Sequence, residues 1–367
     1  MFEIKHTLCP SCSVGCGINV ILDNDEIVGT FPYKRHPINE GKNCSNGRSS
    51  IENIGELPFD SKVLDDVVGK LKSSDSDKVT AVFSGNNSNE DLQAIKSLCE
   101  SKGFNILAYA DNLKNFDSVA SYDDVENAST LFVIGNILYE NPLIGRRIVR
   151  AKENGAKILV NDDLENTPTS NLADEFTSGS VKEFIENNSF DDESVIIFNK
   201  VDSFDDLDLI EGTNSKILPV YSKSNSKGAL DLVDAVSKDE ALELLNKTDV
   251  LLVFNDDVVN EFDFDFKSIS QVIAFSPSKN DTTEVSDTVI PIKSWLEYDG
   301  SFTNAEGLTQ EFGSVCESDK MGIVEIIEKI HCCQAKNFFI FKNCLGCLFC
   351  IFCDNISFYL VLRLLVL

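Results

Sequence analysis

The sequence has few positively charged side chains for its size. Its 367 residues include 32 Lys and Arg against 60 Asp and Glu, which gives a formal net charge of -28. Because proteins bind nucleic acids largely by neutralising phosphates with Lys and Arg, this balance excludes a broad nucleic-acid-binding surface. An anionic ligand would need a locally arranged pocket.

The sequence also lacks a recognisable signal peptide and the common nucleotide-binding and catalytic motifs. Residues 1–6 lead directly into a cysteine motif, without the apolar stretch of a signal peptide. No Walker motif, Gly-x-Gly-x-x-Gly loop or Ser-His-Asp arrangement occurs in a supporting context. We therefore expect a cytoplasmic protein whose chemistry depends on other residues.

Cysteine, by contrast, is frequent, with 12 residues in two groups and two isolated positions. The first group is Cys9, Cys12, Cys16 and Cys44, and the second is Cys332, Cys333, Cys344, Cys347, Cys350 and Cys353. Cys99 and Cys316 are isolated. In a reducing compartment, clustered cysteines indicate metal or redox chemistry rather than a disulfide framework.

The hydrophobic pattern predicts an α/β fold. A hairpin turn at residues 23–25 joins two strands in the first 50 residues, and alternating helices and buried strands begin near residue 55. Helices are predicted at 64–71 and 90–102, and strands at 79–83, 129–134, 157–160, 194–198, 249–254 and 271–275. Short apolar strands separated by helices imply parallel sheets covered on both faces, in Rossmann-like units.

The local conformation of three polar segments can also be predicted. Residues 161–178 and 214–226 are rich in Ser, Asn and Asp, and this composition predicts loops. Residues 261–266 alternate acids with Phe, which predicts a half-buried strand with a solvated acidic face rather than a cation site.

The N-terminal cysteines have the spacing Cys9-x2-Cys12-x3-Cys16-x27-Cys44. Three thiolates on a short turn with Gly15 and Gly17 can surround a cubic cluster while a later segment supplies the fourth ligand. This pattern favours a [4Fe-4S] cluster. A structural zinc also accepts four thiolates, but zinc ribbons usually present two separated Cys-x-x-Cys knuckles. Zinc is the alternative.

The residues around these cysteines resemble a known family. Cys9-Pro10-x-Cys12-x3-Cys16-Gly17 and His36-Pro37-x-Asn39-x-Gly41-x2-Cys44-x2-Gly47-Arg48 are similar to the first domain of molybdopterin (bis-pterin, molybdenum or tungsten) oxidoreductases. The sequence most resembles formate dehydrogenase alpha subunits of methanogenic type. It is also similar to the formylmethanofuran dehydrogenases, in which the last domain is a separate subunit. The resemblance implies a [4Fe-4S] cluster bound by Cys9, Cys12, Cys16 and Cys44.

The resemblance extends over roughly residues 3–312. Its later parts are the segments 124–162, which includes Arg146 and Arg147, 225–229 and 284–307. It implies a molybdopterin guanine dinucleotide carrying molybdenum or tungsten. The implied cofactor-binding residues are Gly135, Asn136, Glu140, Asn161, Asp162, Asn225 and Gly228.

The family resemblance also implies a division of the chain. We expect a [4Fe-4S] domain at 1–55 and a discontinuous α/β domain at 56–125 and 281–330. A Rossmann-like α/β domain at 126–280 is inserted between its two parts. Residues 331–367 form an apolar, Cys-rich tail.

The sequence departs from the family in three ways. Formate dehydrogenases carry a metal-ligating Cys or selenocysteine, but residues 105–114 contain no Cys, and Asp111 offers only a carboxylate. Cys99 lies in an amphipathic helical pattern and is expected in the core. Asn46 stands where the family usually has a Lys that bridges cluster and pterin. Typical alpha subunits are also much longer and end in a β-barrel domain, whereas the resemblance here stops soon after Gly307.

These departures leave two functions open, and the residue that carries catalysis is unknown. In one, the chain oxidises formate or a formyl group and passes electrons through its cluster to a partner. In the other, it is a non-catalytic electron-transfer or assembly subunit. The resemblance implies an iron-sulfur or flavin electron-transfer partner and a separate subunit that supplies the pterin-binding domain.

The tail has a different composition from the rest of the chain. After Glu328 a single acid, Asp354, occurs among many Phe, Leu, Ile and Cys residues. Cys344, Cys347, Cys350 and Cys353 resemble a ferredoxin run, but apolar gaps and the absence of a following Pro disfavour a second cluster. A membrane helix is interrupted by Lys342, Asp354 and Arg363. A frameshifted end is the third interpretation.

Truncation after about Lys329 should leave the iron content and the folded core unchanged, because the tail does not continue the α/β pattern. Iron analysis and circular dichroism of the truncated and full-length proteins measure this. Loss of iron or of soluble fold in the truncated protein would indicate that the tail is structural or binds a cluster.

Overall fold

The computed structural model describes residues 2–51, 57 and 61–332. The chain divides into a unit of Met1–Glu328 and a second unit of Lys329–Leu367. Almost all of the second unit lies outside the described residues, and with it the predictions of a tail cluster, a membrane segment or a frameshifted end. Among the described residues, no helix is both long and apolar enough to span a membrane.

The structure contains helices and strands in alternation after an N-terminal sheet. The strands are β1 Phe2–Leu8, β2 Gly17–Asp23, β3 Glu26–Pro32, β4 Val79–Phe83, β5 Asn105–Ala108, β6 Thr130–Ile134, β7 Lys157–Asn161, β8 Glu175–Thr177, β9 Ser194–Phe198, β10 Lys216–Pro219, β11 Val250–Phe254, β12 Gln271–Ser276, β13 Thr288–Pro291, β14 Gly300–Thr303 and β15 Thr309–Phe312. The helices are α1 Ser45–Ser49, α2 Ser61–Ser73, α3 Asn89–Lys102, α4 Tyr122–Asn127, α5 Ile137–Glu140, α6 Pro142–Glu153, α7 Pro168–Leu172, α8 Val181–Glu186, α9 Phe204–Glu211, α10 Ser226–Leu230, α11 Lys238–Leu245, α12 Asp281–Val285 and α13 Ile323–Cys332. Lys329 therefore lies inside α13.

The N-terminal sheet is antiparallel, in the order β1-β2-β3. Asn24 and Asp25 both have positive φ angles, 50° and 68°, as a two-residue turn between right-twisted strands requires. This confirms the predicted hairpin. The sheet packs on the rest of the molecule, since Ile18 and Val20 share one buried core with Leu131 and Val133 of β6.

Two five-stranded sheets follow, and every strand pair within them is parallel. The first has the order β13-β12-β11-β4-β5 and the second β10-β9-β6-β7-β8. Strands β4, β9 and β11 are buried along their whole length, because helices cover both faces of a parallel sheet. The predicted α/β fold class is confirmed.

The second sheet is inserted in the first, but the boundary differs from the prediction of 126–280. Strands β11 and β12 fall within that range, yet β11 pairs with β4, from Val250↔Val79 onwards, and β12 pairs with β11 and β13. All strands of the inserted sheet lie between Thr130 and Pro219. A buried parallel strand reads as a continuous apolar run in either sheet, so the pattern alone does not reveal which sheet it joins. The other domain limits stay predictions.

The predicted polar segments contain more regular structure than expected. Residues 161–178 include α7 and β8, and residues 214–226 include β10, where loops were predicted. Both strands lie at edges of the inserted sheet, where a short strand needs few apolar residues. Residues 261–266 form no strand, although Phe262 and Phe266 are buried as the alternation suggests.

Each sheet has a point where its connections turn in opposite directions. From β6 the chain proceeds to β7 and β8 on one side and then to β9 and β10 on the other, so β6 and β9 flank this point. In the first sheet, β4 and β11 flank the equivalent point. Ligands of open parallel sheets bind in the crevice at the carboxyl ends of such strands.

The hairpin β14–β15 returns the chain to the N-terminal domain. Phe302 and Phe312 form a small core with Leu8, and the Trp295 indole Nε1 donates a hydrogen bond of 3.1 Å to the Leu8 carbonyl. The Gln310 amide donates to the Gly15 carbonyl at 3.1 Å. This hairpin therefore supports the segment that carries the first cysteines.

Candidate functional site

The first three cysteines lie in a closed loop between β1 and β2. A backbone hydrogen bond of 2.8 Å from Cys9 N to Cys16 O closes it. Gly15 has a φ of +78°, and a Cβ there would lie 2.9 Å from the Asn304 Cβ. Only glycine permits both this left-handed backbone and this close approach.

The second half of the cysteine motif supports the first. The Asn39 side chain accepts a hydrogen bond from Gly17 N and donates to Gly17 O, each at 2.9 Å. The ring of His36 accepts from the same Gly17 N at 3.1 Å, and burial lowers the pKa of this histidine. These two residues therefore hold the backbone next to Cys16.

All four cysteines line one cavity, together with Val14, Asn43, Asn141, Pro142 and Leu143. The cavity contains about 300 Å³ of empty space, part of it open solvent, and all four thiols are free. Within the described residues, no group of three or more His, Cys, Asp or Glu side chains is arranged to hold a metal ion. The cysteines surround a shared space rather than converging on a point.

Burial controls the protonation of these thiols. It raises the pKa of Cys9, and together with the charge of Cys9 it raises the pKa of Cys12 to about 12. The pKa of Cys16 is also raised well above its usual value, mainly by burial and neighbouring thiolates, whereas Arg147 lowers it. Without a bound cation the thiols of Cys9, Cys12 and Cys16 stay protonated, and binding a metal releases their protons.

The donor set fits a [4Fe-4S] cluster. Each cysteine ligand of such a cluster bonds a different iron, so the four sulfurs need to surround a space. The Gly47 amide donates to the Cys44 sulfur at 3.3 Å, and a Cβ at Gly47 would lie 3.3 Å from the Cys9 sulfur. Amide donors to sulfur and close backbone approach are the features with which proteins tune cluster potentials.

A polar cleft adjoins the cysteine cavity. It contains about 720 Å³ of empty space, part of it open solvent, and Cys12 and Asn141 line both spaces. The other lining residues are Ser11, Asn46, Asp111, Glu140, Asn199, Lys200, Val220 and Ser222. The cleft lies at the carboxyl ends of the paired strands β6 and β9, because Glu140 comes shortly after β6 and Asn199 follows β9 directly.

Two cleft residues, Asn199 and Lys200, were not predicted from the sequence. Asn199 donates hydrogen bonds to Glu140 and, at 3.2 Å, to the Asn141 Oδ1. Its own Oδ1 is buried and has no partner among the described residues. The signal was available, because both residues directly follow the predicted strand 194–198. What was missing was the knowledge that this strand lies beside β6.

Several of the implied cofactor-binding residues lie at the carboxyl ends of β6 and β7. Gly135 has a φ of +91°, and a Cβ there would lie 2.5 Å from the Asn199 Oδ1. Asn136 accepts a hydrogen bond of 2.9 Å from Thr169, and Asn161 donates to the Gly179 carbonyl at 3.1 Å. Asp162 is buried, and its Oδ2 has no partner among the described residues. Their contacts with a cofactor stay predictions.

Asn225 and Gly228 lie elsewhere, at the start of α10 and within it. The Asn225 amide donates to the Asn87 carbonyl at 2.9 Å and to the Asn89 Oδ1 at 3.0 Å, and its Oδ1 accepts from Thr303 N at 2.6 Å. A Cβ at Gly228 would lie 2.3 Å from the Asn225 Oδ1. Protein atoms thus satisfy the hydrogen-bonding groups of the Asn225 side chain. The cofactor contacts of Asn225 and Gly228 stay predictions.

The departures from the family are concentrated at the cleft. Asp111 and Asn46 both line it, and Asp111 and Asn112 have left-handed backbones with φ angles of 52° and 58°. Such conformations are strained for residues with a Cβ and are concentrated at functional sites. Cys99 is a core residue of α3 and is 1% exposed, and burial raises its pKa to about 12.

A buried ion cluster occupies the equivalent point of the first sheet. Lys223 contacts Asp256 and Glu261, each at 2.9 Å, and Asp256 accepts a hydrogen bond of 3.0 Å from Asn86. Burial raises the pKa of Glu261, and the Asp111 charge adds to this effect. The predicted solvated face at residue 261 is therefore wrong, because Glu261 pairs with a buried lysine.

Comparisons with known proteins give a family match for the N-terminal part of the chain. Residues 2–55 match the model of the molybdopterin oxidoreductase Fe4S4 domain. These residues form such a domain, and its cofactor is a [4Fe-4S] cluster. The described chain is thus an α/β protein whose N-terminal residues form a molybdopterin oxidoreductase Fe4S4 domain.

The chain is similar to F420-dependent formate dehydrogenase alpha subunits. It is 34% identical over 203 residues to formate dehydrogenase 1 subunit alpha of Methanococcus maripaludis, a match that covers 47% of this chain and 30% of the relative. The corresponding subunit of Methanocaldococcus jannaschii is 31% identical over 192 residues, covering 44% and 28%. The match to each relative thus spans less than a third of that relative's length.

Two solved structures share the fold. A chain of the formyltransferase/hydrolase complex FhcABCD from Methylorubrum extorquens has a TM-score of 0.51 at 12% identity, covering 78% of this chain and 98% of that one. Acetylene hydratase from Pelobacter acetylenicus has a TM-score of 0.57 at 13% identity, covering 89% and 69%. At these identities the similarity concerns the fold alone.

The substitution Asn225→Ala should lower the free energy of unfolding by about 2–4 kcal/mol, because it leaves buried backbone groups without partners. Urea denaturation of the purified protein measures the change. Asn246→Ala is the control, since this exposed side chain makes one local bond to Leu242 O. A free energy of unfolding within about 0.5 kcal/mol of wild type would show that the hydrogen bonds of Asn225 do not stabilise the fold.

Proposed function

We propose that this chain is a subunit of an iron-sulfur molybdopterin oxidoreductase that oxidises formate or a formyl group. In this proposal, Cys9, Cys12, Cys16 and Cys44 ligate the [4Fe-4S] cluster, and the adjoining cleft holds a pterin cofactor with molybdenum or tungsten. The main supporting observation is that Cys12 lines both spaces. A cluster ligand is thus adjacent to the place where substrate would react.

The side chains of the cleft have properties that suit an anionic cofactor. The Lys200 ammonium can pair with a phosphate, and the unpartnered Asn199 Oδ1 can accept a hydrogen bond from the ligand. Asn199 also orients Glu140. Gly135 keeps the turn after β6 free of a side chain that would collide with Asn199. We assign these residues to cofactor positioning.

Such a cofactor, when bound, supplies two-electron redox chemistry, and the protein contributes position and electrostatics. Asp111 is the candidate ligand for the metal, because it lines the cleft and no cysteine does so apart from Cys12 among the described residues. A carboxylate is a harder ligand than a thiolate and donates less charge. It suits oxygen-atom chemistry better than hydride abstraction from formate.

The alternative is a non-catalytic electron-transfer or assembly subunit. Two observations favour it: Asn46, which lines the cleft, is neutral, and the cleft is lined by Asp111 but by no cysteine other than Cys12 among the described residues. In this case the cluster carries electrons and the cleft performs no substrate chemistry. Metal analysis distinguishes the two functions, because iron with molybdenum or tungsten supports the enzyme and iron alone supports the carrier.

Partners are proposed from what the relatives are. The relatives are named as alpha subunits, and the chain that shares the fold belongs to the FhcABCD complex. We therefore propose an iron-sulfur or flavin subunit as electron acceptor and a further subunit that supplies the rest of the pterin site. We further propose that the assembly works in the reducing cytoplasm, where clustered cysteines serve metal binding rather than a disulfide framework.

Replacement of Cys9, Cys12, Cys16 or Cys44 by Ala should remove most of the bound iron, since each thiolate bonds one iron. Iron and acid-labile sulfide are measured on anaerobically purified protein. Cys99→Ala is the matched control, because that thiol is buried in α3 and away from the cavity. Stoichiometric zinc without sulfide in the wild-type protein would contradict the cluster assignment.

The isolated chain should show little or no formate oxidation even with its cluster intact, because the sulfur ligand to the metal and the positive group at residue 46 are both missing. Formate-dependent dye reduction by anaerobically purified protein measures this activity. Robust dye reduction that disappears when the pterin is removed would contradict the prediction. Cys99 would then be the next residue to replace.

A further inference from the structure

One buried guanidinium lies beside the cysteine loop. Arg147 is on α6 and is 7% exposed, and its Nη2 donates a hydrogen bond of 3.1 Å to the Ile38 carbonyl. Its guanidinium carbon lies 5.0 Å from the ring centroid of Tyr122, which is also buried. A cation held against an aromatic face in this way is fixed in position and poorly screened by solvent.

Both residues that Arg147 contacts, Tyr122 and Ile38, are close to supports of the cysteine loop. The Tyr122 hydroxyl donates to the Val14 carbonyl at 2.9 Å, and Val14 lies between Cys12 and Cys16. Ile38 precedes Asn39, whose amide holds Gly17 next to Cys16. The guanidinium therefore packs against the two supports of the loop on either side of Cys16.

Arg147 differs from two other cations near the cysteines in being buried. Among the described residues that line the cysteine cavity there is no cationic side chain, whereas Lys200 lines the neighbouring cleft and Arg48 donates from Nε to the Cys44 carbonyl at 3.4 Å. Both of these side chains are exposed, so solvent screens their charges more strongly. Reduction of a four-cysteine cluster adds one electron to a buried group that is already negative. A nearby fixed cation stabilises the reduced form more than the oxidised form.

The same network contains an opposing charge. Glu126 Oε1 accepts from Arg147 Nη1 and from Arg150 Nη1, each at 2.9 Å. Arg150 also pairs with Glu40 and is 32% exposed, so solvent screens its charge more strongly. Glu126 thus partly neutralises the buried arginine, and Arg150 is a matched cation that lies one helical turn further along α6.

We propose that the buried charge of Arg147 raises the reduction potential of the cluster, so that Arg147 acts on the cluster electrostatically without ligating it. The inference rests on the proposed ligation of the cluster by the four cysteines. It concerns the potential of the cluster and does not depend on whether the cleft is catalytically active.

The test is a redox titration of the cluster, followed by electron paramagnetic resonance, on anaerobically purified full-length protein. Arg147→Met should shift the ratio of reduced to oxidised cluster about tenfold towards the oxidised form at a fixed potential, which for one electron is about 59 mV. Arg147→Lys, which keeps the charge, should recover most of the difference. Arg150→Gln should leave the potential close to wild type.

The direction in which a second variant shifts the reduction potential distinguishes an electrostatic effect from a packing effect. Glu126→Gln removes the opposing negative charge and should raise the potential, whereas a loss of structural support would shift both variants in the same direction. If Arg147→Met binds no iron, Glu126→Gln and Arg147→Lys decide the question. Unchanged potentials, or equal signs for Arg147→Met and Glu126→Gln, would overturn the inference.

Failure of the proposed function gives a different result. Wild-type protein without iron and acid-labile sulfide would contradict the cluster ligation and this inference together. A normal cluster whose potential ignores Arg147 and Glu126 would contradict this inference alone.

Discussion

The loop between β1 and β2 depends on three distant parts of the chain, and the rest of the site depends on this loop. Ser13 donates its backbone amide to Tyr221 O at 3.2 Å and accepts from Ala305 N at 2.7 Å through its carbonyl. Tyr122 holds the next residue, Val14. A buried loop needs such partners, because each unpaired backbone group would cost free energy. The thiols can be buried only because these bonds are made.

These same contacts join the N-terminal domain to both parallel sheets. Tyr221 follows the inserted sheet, and Ala305 belongs to the hairpin region after the first sheet. The cysteine cavity and the cleft at β6 and β9 are therefore adjacent, because these hydrogen bonds hold the cysteine loop against the inserted sheet.

The two sheets use their crevices differently. At the inserted sheet, the crevice at the carboxyl ends of β6 and β9 is lined by polar groups. These include Lys200 and an Asn199 oxygen that has no partner in the described part of the chain. At the first sheet, Lys223 lies at the corresponding place and pairs with Asp256 and Glu261. A buried lysine with two carboxylate partners is stable only while both contacts persist, since an unpaired buried charge is costly. Ion pairs thus occupy one crevice, whereas the other keeps a buried Asn199 oxygen without a partner among the described residues.

Local patterns in the sequence were sufficient for several conclusions. The spacing of Cys9, Cys12, Cys16 and Cys44 indicated a shared metal centre, since thiolate chemistry and loop length limit the options. Apolar runs located β4, β9 and β11 and the α/β class, because burial on both faces requires uninterrupted apolar residues. Acids alternating with Phe at 261–266 indicated burial correctly but not conformation.

Tertiary structure alone decided the rest. Strands β11 and β12 have the same composition as strands of the inserted sheet, so only pairing with β4 assigned them to the first. Asn199 and Lys200 became cleft residues because β9 lies beside β6, and Arg147 became a neighbour of the cysteine loop because α6 packs against Tyr122 and Ile38. The sequence by itself determined which residues could bind metal and which segments are buried, since these depend on side-chain chemistry and local period. Which distant residues surround the metal depends on long-range packing, in which many segments of similar polarity could occupy the same place.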